Sequence, residues 1–568
     1  MKRLFLSPCH GSATGRPSRL PGSDESFVTS HSITRSLQRQ AICLLVAACA
    51  LATSGCTSWS QYWRNNMMVG PEYMRPPAPV ESEWIDSGDA QVRSMSDVET
   101  LWWEQFNDPV LNGLVLQAYE GNLSLREAGF RVLAARAAYN ITVGGFFPQA
   151  QGAVAAYDRW VLSRNVGALS ALGNNSFSVW QTGFNLSWEL DVWGRLRRNI
   201  ESAEGKYQAS VEEYDGVLVT LIADVAQRYV EYRIASKQVA DLRRMAIIQQ
   251  QSLELATNRF QGGVTSEIDV SQATLNLAQT EASIPGYEQQ ARVAANALCM
   301  LLGIPPEDLA GRLGAAEIPG SPPALEAGIP ADLLRRRPDV RAAERELAAQ
   351  SAQIGVAEAD LYPAFSINGY LGVYANEIGQ LFESDSQFGL IAPIVDWKIL
   401  NYGRLLNNIR QQDAKFQGLA ARYQETVLRA GREAEDGIIT FLKAREATDK
   451  QRVALAAATR SVELVQIQYK EGTADFNRVF VVQKNQVEEQ IRLNDNIGDV
   501  ARGMIQLYRA LGGGWQLRLD QLAASGQCCK PLPCVVGGEC DDYIGKQPPA
   551  GFDAWCIWPE WLRGHKPR

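Results

Sequence analysis

The chain has 568 residues, 46% of them hydrophobic and 21% charged, which is ample for a folded core and excludes a wholly disordered protein. A net charge of -8 argues against nucleic-acid binding, because neutralising phosphates needs a basic face. Histidine is confined to His10, His31 and His565, so a His-based triad or His-ligated metal centre cannot sit in the body of the chain, and no Walker-type glycine loop is present.

Residues 41–54 form an apolar run led by Arg35 and Arg39. The run is too short to span a bilayer comfortably and has a basic leading edge, so it reads as a signal-peptide core. Val46-Ala47-Ala48-Cys49 and Thr53-Ser54-Gly55-Cys56 both resemble the lipobox of bacterial lipoproteins. Cys56 is preferred as the acylated residue because it leaves a proper apolar stretch ahead of it. Cys49 is the alternative, and an ordinary cleaved signal would leave both cysteines incidental. The forty residues ahead of the run are long for a leader, and no Met lies between Met1 and Met67, so the start of translation stays open. No later apolar run reaches 18 residues, so the exported part is expected to be soluble or a β-barrel.

The body is duplicated. An offset of 209 carries Gly194-Arg195 onto Gly403-Arg404, Phe260 and Gly263 onto Tyr469 and Gly472, and Leu302-Gly303 onto Leu511-Gly512. Further upstream the offset is 215, carrying Phe147-Pro148 onto Tyr362-Pro363 and Arg126 onto Arg341. A repeat this long is a duplicated domain rather than a short solenoid unit. Each half is predicted to run helix, two strands, very long helix, tight turn, helix. Val239, Leu242, Ala246, Leu253, Ala256 and Phe260 fall on a 3,4 spacing with Gln249 in the remaining slot. Leu455, Ala458, Val462, Val465 and Tyr469 repeat it, and Val270, Ala273, Leu277, Ile284 and Tyr287 continue it past the turn. These are coiled-coil seams rich in small residues. A helix over 195–260 would be roughly 100 Å long, with flanking helices near 123–145 and 266–303 in line beside it.

The strands separate this chain from a plain coiled coil. Phe184, Leu186, Trp188, Leu190 and Val192 alternate with Asn185, Ser187, Glu189 and Asp191, and Phe365, Ile367, Leu371 and Val373 alternate likewise. One apolar and one polar face is the pattern of a membrane barrel strand. Polar loops over 163–176 and 375–386 would join each strand pair. Four strands cannot close a barrel, so several chains must share one around a polar lumen.

Several motifs resemble TolC-like outer-membrane factors of the NodT/OprM lipoprotein branch. Val69-Gly70-Pro71-Glu72-Tyr73-x-Arg75-Pro76 is similar to that branch's segment near the mature N-terminus. Leu334-Arg335-Arg336-Arg337-Pro338-Asp339-Val340-Arg341-x-Ala343-Glu344 is similar to its most recognisable signature. Pro338 and Asp339 there suit a helix start, where a missing N–H costs nothing and an acid meets the positive end of the dipole. Arg259-Phe260-x-x-Gly263-x-x-Ser266-x-x-Asp269-Val270-x-x-Ala273 resembles the turn at the periplasmic tip of the helical tunnel, and Ile284-Pro285 followed by Glu288 also fits, with the proline kinking a helix.

The resemblance covers about 69–515. It implies an α+β membrane protein: a homotrimer with a 12-stranded outer-membrane β-barrel, a coiled-coil periplasmic tunnel and a mixed equatorial belt. It further implies a periplasmic adaptor and an inner-membrane pump, often of the resistance-nodulation-division class, with this chain as a passive duct that has no enzymatic activity and no cofactor.

The chain departs from that pattern in two places. In the second tip turn, Tyr469 and Gly472 match, but Arg478 stands where an aspartate is common and Val481 where a second one occurs. Glu267, Asp269 and Asp475 are the acids nearest the tip. They read either as solvated helix-end charges or as a ring, repeated by symmetry, that binds cations or pairs with Arg478. After Trp515, Cys528, Cys529, Cys534, Cys540 and Cys556 suggest a disulfide-stapled extension, with a zinc site as the alternative and Cys299 as a further pairing partner.

The expected organisation is a signal peptide over 1–55, a lipid-anchored segment over 56–100, repeats over 101–315 and 316–515, and a Cys-rich extension over 516–568. The competing classes are a structural periplasmic coiled-coil lipoprotein, which predicts no amphipathic strands, and an enzyme on a helical scaffold, which predicts a catalytic cluster that the sequence does not contain.

Overall fold

The computed structural model describes residues 59–93, 101–163, 176–320, 322, 324–328, 330–332 and 336–519. Cys49, Cys56, the five tail cysteines, Leu334, Arg335 and most of the 163–176 loop lie outside them. The chain divides into residues 1–61, which end within a short helix Trp59–Arg64, and a body of residues 62–568.

The body opens on an extended segment and a two-residue strand β1 (Val92–Arg93), which pairs in parallel with β4 (Leu325–Glu326). Helix α1 (Pro109–Gly121) starts where Asp108 accepts from the Val110 N–H at 2.9 Å with Pro109 in the first turn. Asn122 ends it and caps α2 (Leu123–Gly144) through the Leu125 N–H at 2.8 Å. Strands β2 (Ala150–Val161) and β3 (Ser176–Leu190) follow, then α3 (Arg195–Gln261) and α4 (Glu267–Leu301). The second half repeats the order with α5 (Pro338–Ala359), β5 (Ala364–Ala375), β6 (Gln387–Asp396), α6 (Arg404–Glu471) and α7 (Phe476–Ala510).

Helices α3 and α6 have 67 and 68 residues, each about 100 Å long at 1.5 Å per residue. Helices α2 and α4 both pack along α3, and α4 runs on through Pro285. Helix α5 packs against both long helices, which joins the two halves. The shared offset of 209 also appears in the backbone: Gly194 and Gly403, Gly263 and Gly472, and Gly303 and Gly512 all hold positive φ between 71° and 81°.

The four long strands form one antiparallel sheet in the order β2-β3-β5-β6. Register fixes its faces. Phe184 opposes Leu371, Trp188 opposes Ile367 and Leu190 opposes Phe365, and β6 adds Val395 opposite Phe365. The other face carries Asn185 opposite Tyr370, Ser187 opposite Asn368 and Glu189 opposite Ser366, with the Ser187 hydroxyl bonded to Asn368 Oδ1 at 2.7 Å. Strand β6 breaks the pattern, since Phe388, Leu390 and Ile394 stand on that second face and Phe388 joins Tyr370 and Tyr374 in an aromatic cluster.

The main core lies at mid-length of the long helices, where Tyr214, Leu218, Tyr229, Tyr423 and Phe441 meet Trp102, Leu298, Met504 and Tyr508. The Trp102 and Tyr508 rings stack there, 5.7 Å apart. A small cluster sits at the turn end of the hairpins and another at the base of the sheet. Towards the turns, the seam of α3 that is buried runs through Gln238, Leu242, Met245, Gln249, Ser252 and Ala256. It is more polar than the apolar spacing suggested, because Gln483 of α7 bridges Asn276 and Ser252 at 3.0 and 2.9 Å.

Candidate functional site

Two tight turns close the far end of the helical hairpins. Gly263 at φ +71 and Gly472 at φ +80 take the left-handed conformation that the turns require. Asp475 then caps α7, accepting the Arg478 backbone N–H at 3.0 Å. Glu267 and Asp269 lie in the first turn of α4, where the positive end of the helix dipole favours acids.

Tyr469 joins the two hairpins. Its ring is buried with Ala256, Ala273, Val465, Phe476 and Val479, and it meets Phe476 edge-on at 5.3 Å. Its hydroxyl donates to Asp269 Oδ2 at 3.1 Å. From the other side the Arg259 guanidinium lies 4.9 Å from the ring centroid and donates to the Tyr469 and Lys470 carbonyls, the latter at 3.1 Å. Burial and then the adjacent Asp269 carboxylate push the Tyr469 hydroxyl up to about 12. The second hairpin is therefore gripped by the first at a carbonyl pair, a ring face and a hydroxyl.

The sequence-selected residues divide accordingly. Asp269, Tyr469, Gly263 and Gly472 build this junction. Phe260, Glu267 and Asp475 are exposed, and the carboxylate of Asp475 is engaged in capping. Arg478 is exposed and forms no ion pair with Asp269 among the described residues. Arg259 was visible as part of the turn motif, but spacing alone does not reveal that it reaches across to Tyr469.

The arginine-rich signature sits elsewhere, at the belt. Arg337, just before α5, forks onto Asp339 at 2.9 and 2.7 Å and also reaches Glu433 at 2.8 Å and the Ala510 carbonyl at 2.7 Å. Burial alone would lower its pKa, but Asp339 and Glu433 outweigh that and raise it. Pro338 occupies the first helical position and Arg336 flanks it. Arg341 bonds Glu212 at 2.7 Å, approaches Asp215 at 3.3 Å and lies over the Trp515 ring at 4.4 Å. Arg518 binds the same buried Asp215 through both oxygens at 2.9 and 3.0 Å. Glu344 takes Arg75 at 2.6 Å, so the signature also holds the N-terminal motif. Next to it, Gly70 and Gly355 approach so closely that a Cβ on Gly70 would lie 2.4 Å from the Gly355 Cα. This arrangement is a clasp: it ties α3, α5, α6 and the end of α7 to Arg75 on one side and to Trp515 and Arg518 on the other.

No helix among the described residues is long and apolar enough to cross a membrane, whereas the open sheet offers an apolar face. A four-stranded amphipathic sheet at the end of two long helical hairpins is the build of an outer-membrane channel subunit. The chain belongs to the outer membrane efflux protein family, whose profile matches residues 114–304 and 329–513. It is 30% identical over 482 residues to the toluene efflux pump outer membrane protein TtgF of Pseudomonas putida, covering 83% of this chain and 96% of that one. It is 31% identical over 455 residues to the outer membrane protein OprJ of Pseudomonas aeruginosa, covering 79% and 93%. The solved outer-membrane channel OprN superposes with a TM-score of 0.74 at 32% identity, over 79% of this chain and 99% of that one. The protein is an outer-membrane channel component of an efflux system.

Proposed function

We propose that three copies of this chain stand around one axis. Their sheets close a 12-stranded barrel in the outer membrane, and their hairpins form a tunnel into the periplasm. The observation that carries this reading is the open sheet: β2 and β6 are unpaired edges of an amphipathic sheet too narrow to close alone. The same sheet weighs against a structural coiled-coil lipoprotein, which would need no such face. The two matched segments, and the glycines repeated at one offset, support duplication of a single hairpin-and-strand unit.

The duct is passive. It receives small molecules from a periplasmic adaptor and an inner-membrane pump of the resistance-nodulation-division class, which supplies the energy. Acylation of Cys56 anchors the segment over 56–100 after removal of residues 1–55, or acylation of Cys49 does so after removal of residues 1–48, and residues 516–568 form the Cys-rich extension. The junction of Arg259, Tyr469 and Asp269 holds the periplasmic entrance narrow. Glu267, Asp269 and Asp475, repeated three times about the axis, make that entrance attractive to cations, with Arg478 beside them.

Single-channel recording of the purified chain in a planar bilayer tests the reading. Discrete conductance steps from a species of trimeric mass are expected, and a monomer with no conductance would overturn it.

A further inference from the structure

The internal repeat is copied in side-chain contacts. In the first half the Trp188 indole N–H donates to the Phe146 carbonyl at 3.3 Å, and in the second half Trp397 donates to the Leu361 carbonyl at 3.0 Å. Trp188 maps to Trp397 at the offset of 209, and Phe146 maps to Leu361 at the offset of 215. A related contact crosses from the first half to the second. Trp193 stacks on Tyr362 with centroids 4.6 Å apart and planes 23° from parallel, and its indole N–H donates to the Pro363 carbonyl at 2.9 Å.

The same two offsets carry Trp193 onto Tyr402 and Tyr362-Pro363 back onto Phe147-Pro148. That image contact runs from a second half to a first half, and the chain does not make it with itself. Tyr402 is 98% exposed and Phe147 is 61% exposed, whereas Trp193 is half-buried. Tyr402 also holds φ +52, which a bulky side chain rarely adopts and which Trp193 does not share. Around it Trp397, Ile399, Leu400 and Leu406 are exposed as well, and a group of exposed apolar side chains close in sequence is of the kind that marks a contact surface.

We propose that Tyr402 of one chain seats on Phe147 of a second copy, as the between-chain image of the Trp193–Tyr362 stack. The proposal rests on the trimeric reading and deepens it by naming the aromatic pair that closes the ring. If six half-chains stand around one axis, the seam inside a chain and the seam between chains are alternate versions of one surface. An aromatic ring buried at one seam is then required at the other. The two seams differ in one respect. Inside the chain the N-terminal segment also covers Trp193, with Tyr62 at 5.6 Å and the Val69 N–H on its carbonyl at 3.0 Å. That segment precedes the repeat and has no second copy, so the Tyr402 seat depends on the neighbouring chain alone.

The test is cysteine cross-linking of the full chain in outer-membrane preparations. Tyr402→Cys combined with Phe147→Cys should join chains head to tail and give covalent dimers and trimers on a denaturing gel. The parent chain, with its natural cysteines, and each single variant should lack that ladder. Tyr402→Ala should also cause loss of the detergent-resistant trimer at a lower temperature than the parent, and Tyr402→Trp should retain it. A native-mass trimer that gives no cross-linked ladder would overturn this seam while leaving the trimer intact. A monomeric native mass would overturn the trimeric reading and the seam with it.

Discussion

The Tyr469 hydroxyl reaches Asp269 Oδ2 across the two hairpins of one chain at 3.1 Å, while Arg259 holds the same tyrosine by its ring and carbonyl. Tyr469 is thus bonded from both ends by residues of the first half, and either half can move at the tip only by breaking those bonds. A hydrogen bond to a carboxylate contributes about 1.5–3 kcal/mol, and the cation–ring contact about 0.5–2 kcal/mol. Tyr469→Phe keeps the packed ring and removes only the hydroxyl, so it should raise single-channel conductance or open probability. Arg259→Ala loses the ring contact and both carbonyl bonds and should raise it further. Unchanged conductance in both variants would remove this junction from the entrance.

The junction should also respond to base. A free tyrosine titrates near pH 10, and Tyr469 is pushed up to about 12 by burial and by Asp269. The sign follows from linkage: a raised pKa means that the closed tip favours the protonated hydroxyl, so its contribution is complete below pH 10 and is lost as pH rises through about 12. Conductance of the parent channel should hold steady to about pH 9 and rise between about pH 10 and 12. If Tyr469→Phe rises over the same range, another group titrates.

The acids at the tip separate by role. Asp475 caps α7, so replacing it by Ala would cost about 1 kcal/mol of helix start as well as a charge. Asp269→Asn together with Asp475→Asn keeps an acceptor at the cap and removes two negative charges per chain. Multivalent cations added from the periplasmic side should block the parent channel, and this double variant should lose the block. Full retention of the block would assign Asp269 and Asp475 to plain solvated helix ends.

Much of this architecture was legible from periodicity. The helix expected over 195–260 is observed over Arg195–Gln261, and the two apolar alternations fall on β3 and β5. What periodicity could not supply was partnership across long separations. Asp191 continues the alternation in sequence, yet β3 stops at Leu190 and the Asp191 carboxylate accepts the Leu196 and Arg197 N–H groups at 2.8 and 3.0 Å, holding the start of α3. Phe260 matches the seam spacing but is exposed, and near the turn the buried line of α3 keeps Ala256 while taking Ser252 in place of Leu253. The signature arginines were recognisable as a motif, but Glu433, Asp215 and Arg518, which complete the clasp, lie 96 to 303 residues away from their partners.

That clasp makes a stability prediction. Burial raises the pKa of Asp215, the Arg518 and Arg341 guanidiniums oppose the rise, and the carboxylate is bonded by both. Asp215→Ala would leave Arg518 buried without its main partner, and breaking such a pair costs about 3–5 kcal/mol. Glu344→Gln removes one charge from a half-exposed pair with Arg75 and should cost no more than about 1 kcal/mol. Thermal unfolding of the detergent-solubilised protein should show a clear drop for the first and little change for the second. Equal melting temperatures would mean that the buried charges are satisfied by water.

The sheet supplies the last prediction. Glu189 is a poor probe of the polar face, because it already pairs with Arg195 at 2.6 Å and an arginine there would set two cations together. Phe184 and Asn185 are neighbours on β3 with opposite orientations, one opposite Leu371 and the other opposite Tyr370. Neither makes an ion pair among the described residues, so substitution by arginine tests the face alone. With the apolar face in lipid, Phe184→Arg places a charge in hydrocarbon and should cost about 2–4 kcal/mol near the bilayer midplane. Asn185→Arg points into a water-filled lumen and should assemble normally, changing ion selectivity instead. The comparison is made by the yield of detergent-resistant assembled protein in outer-membrane fractions. If both variants assembled equally, the alternation along β3 would not mark a lipid boundary. If only Asn185→Arg failed, the two faces would have to be exchanged, with the aromatic cluster of Tyr370, Tyr374 and Phe388 turned towards lipid.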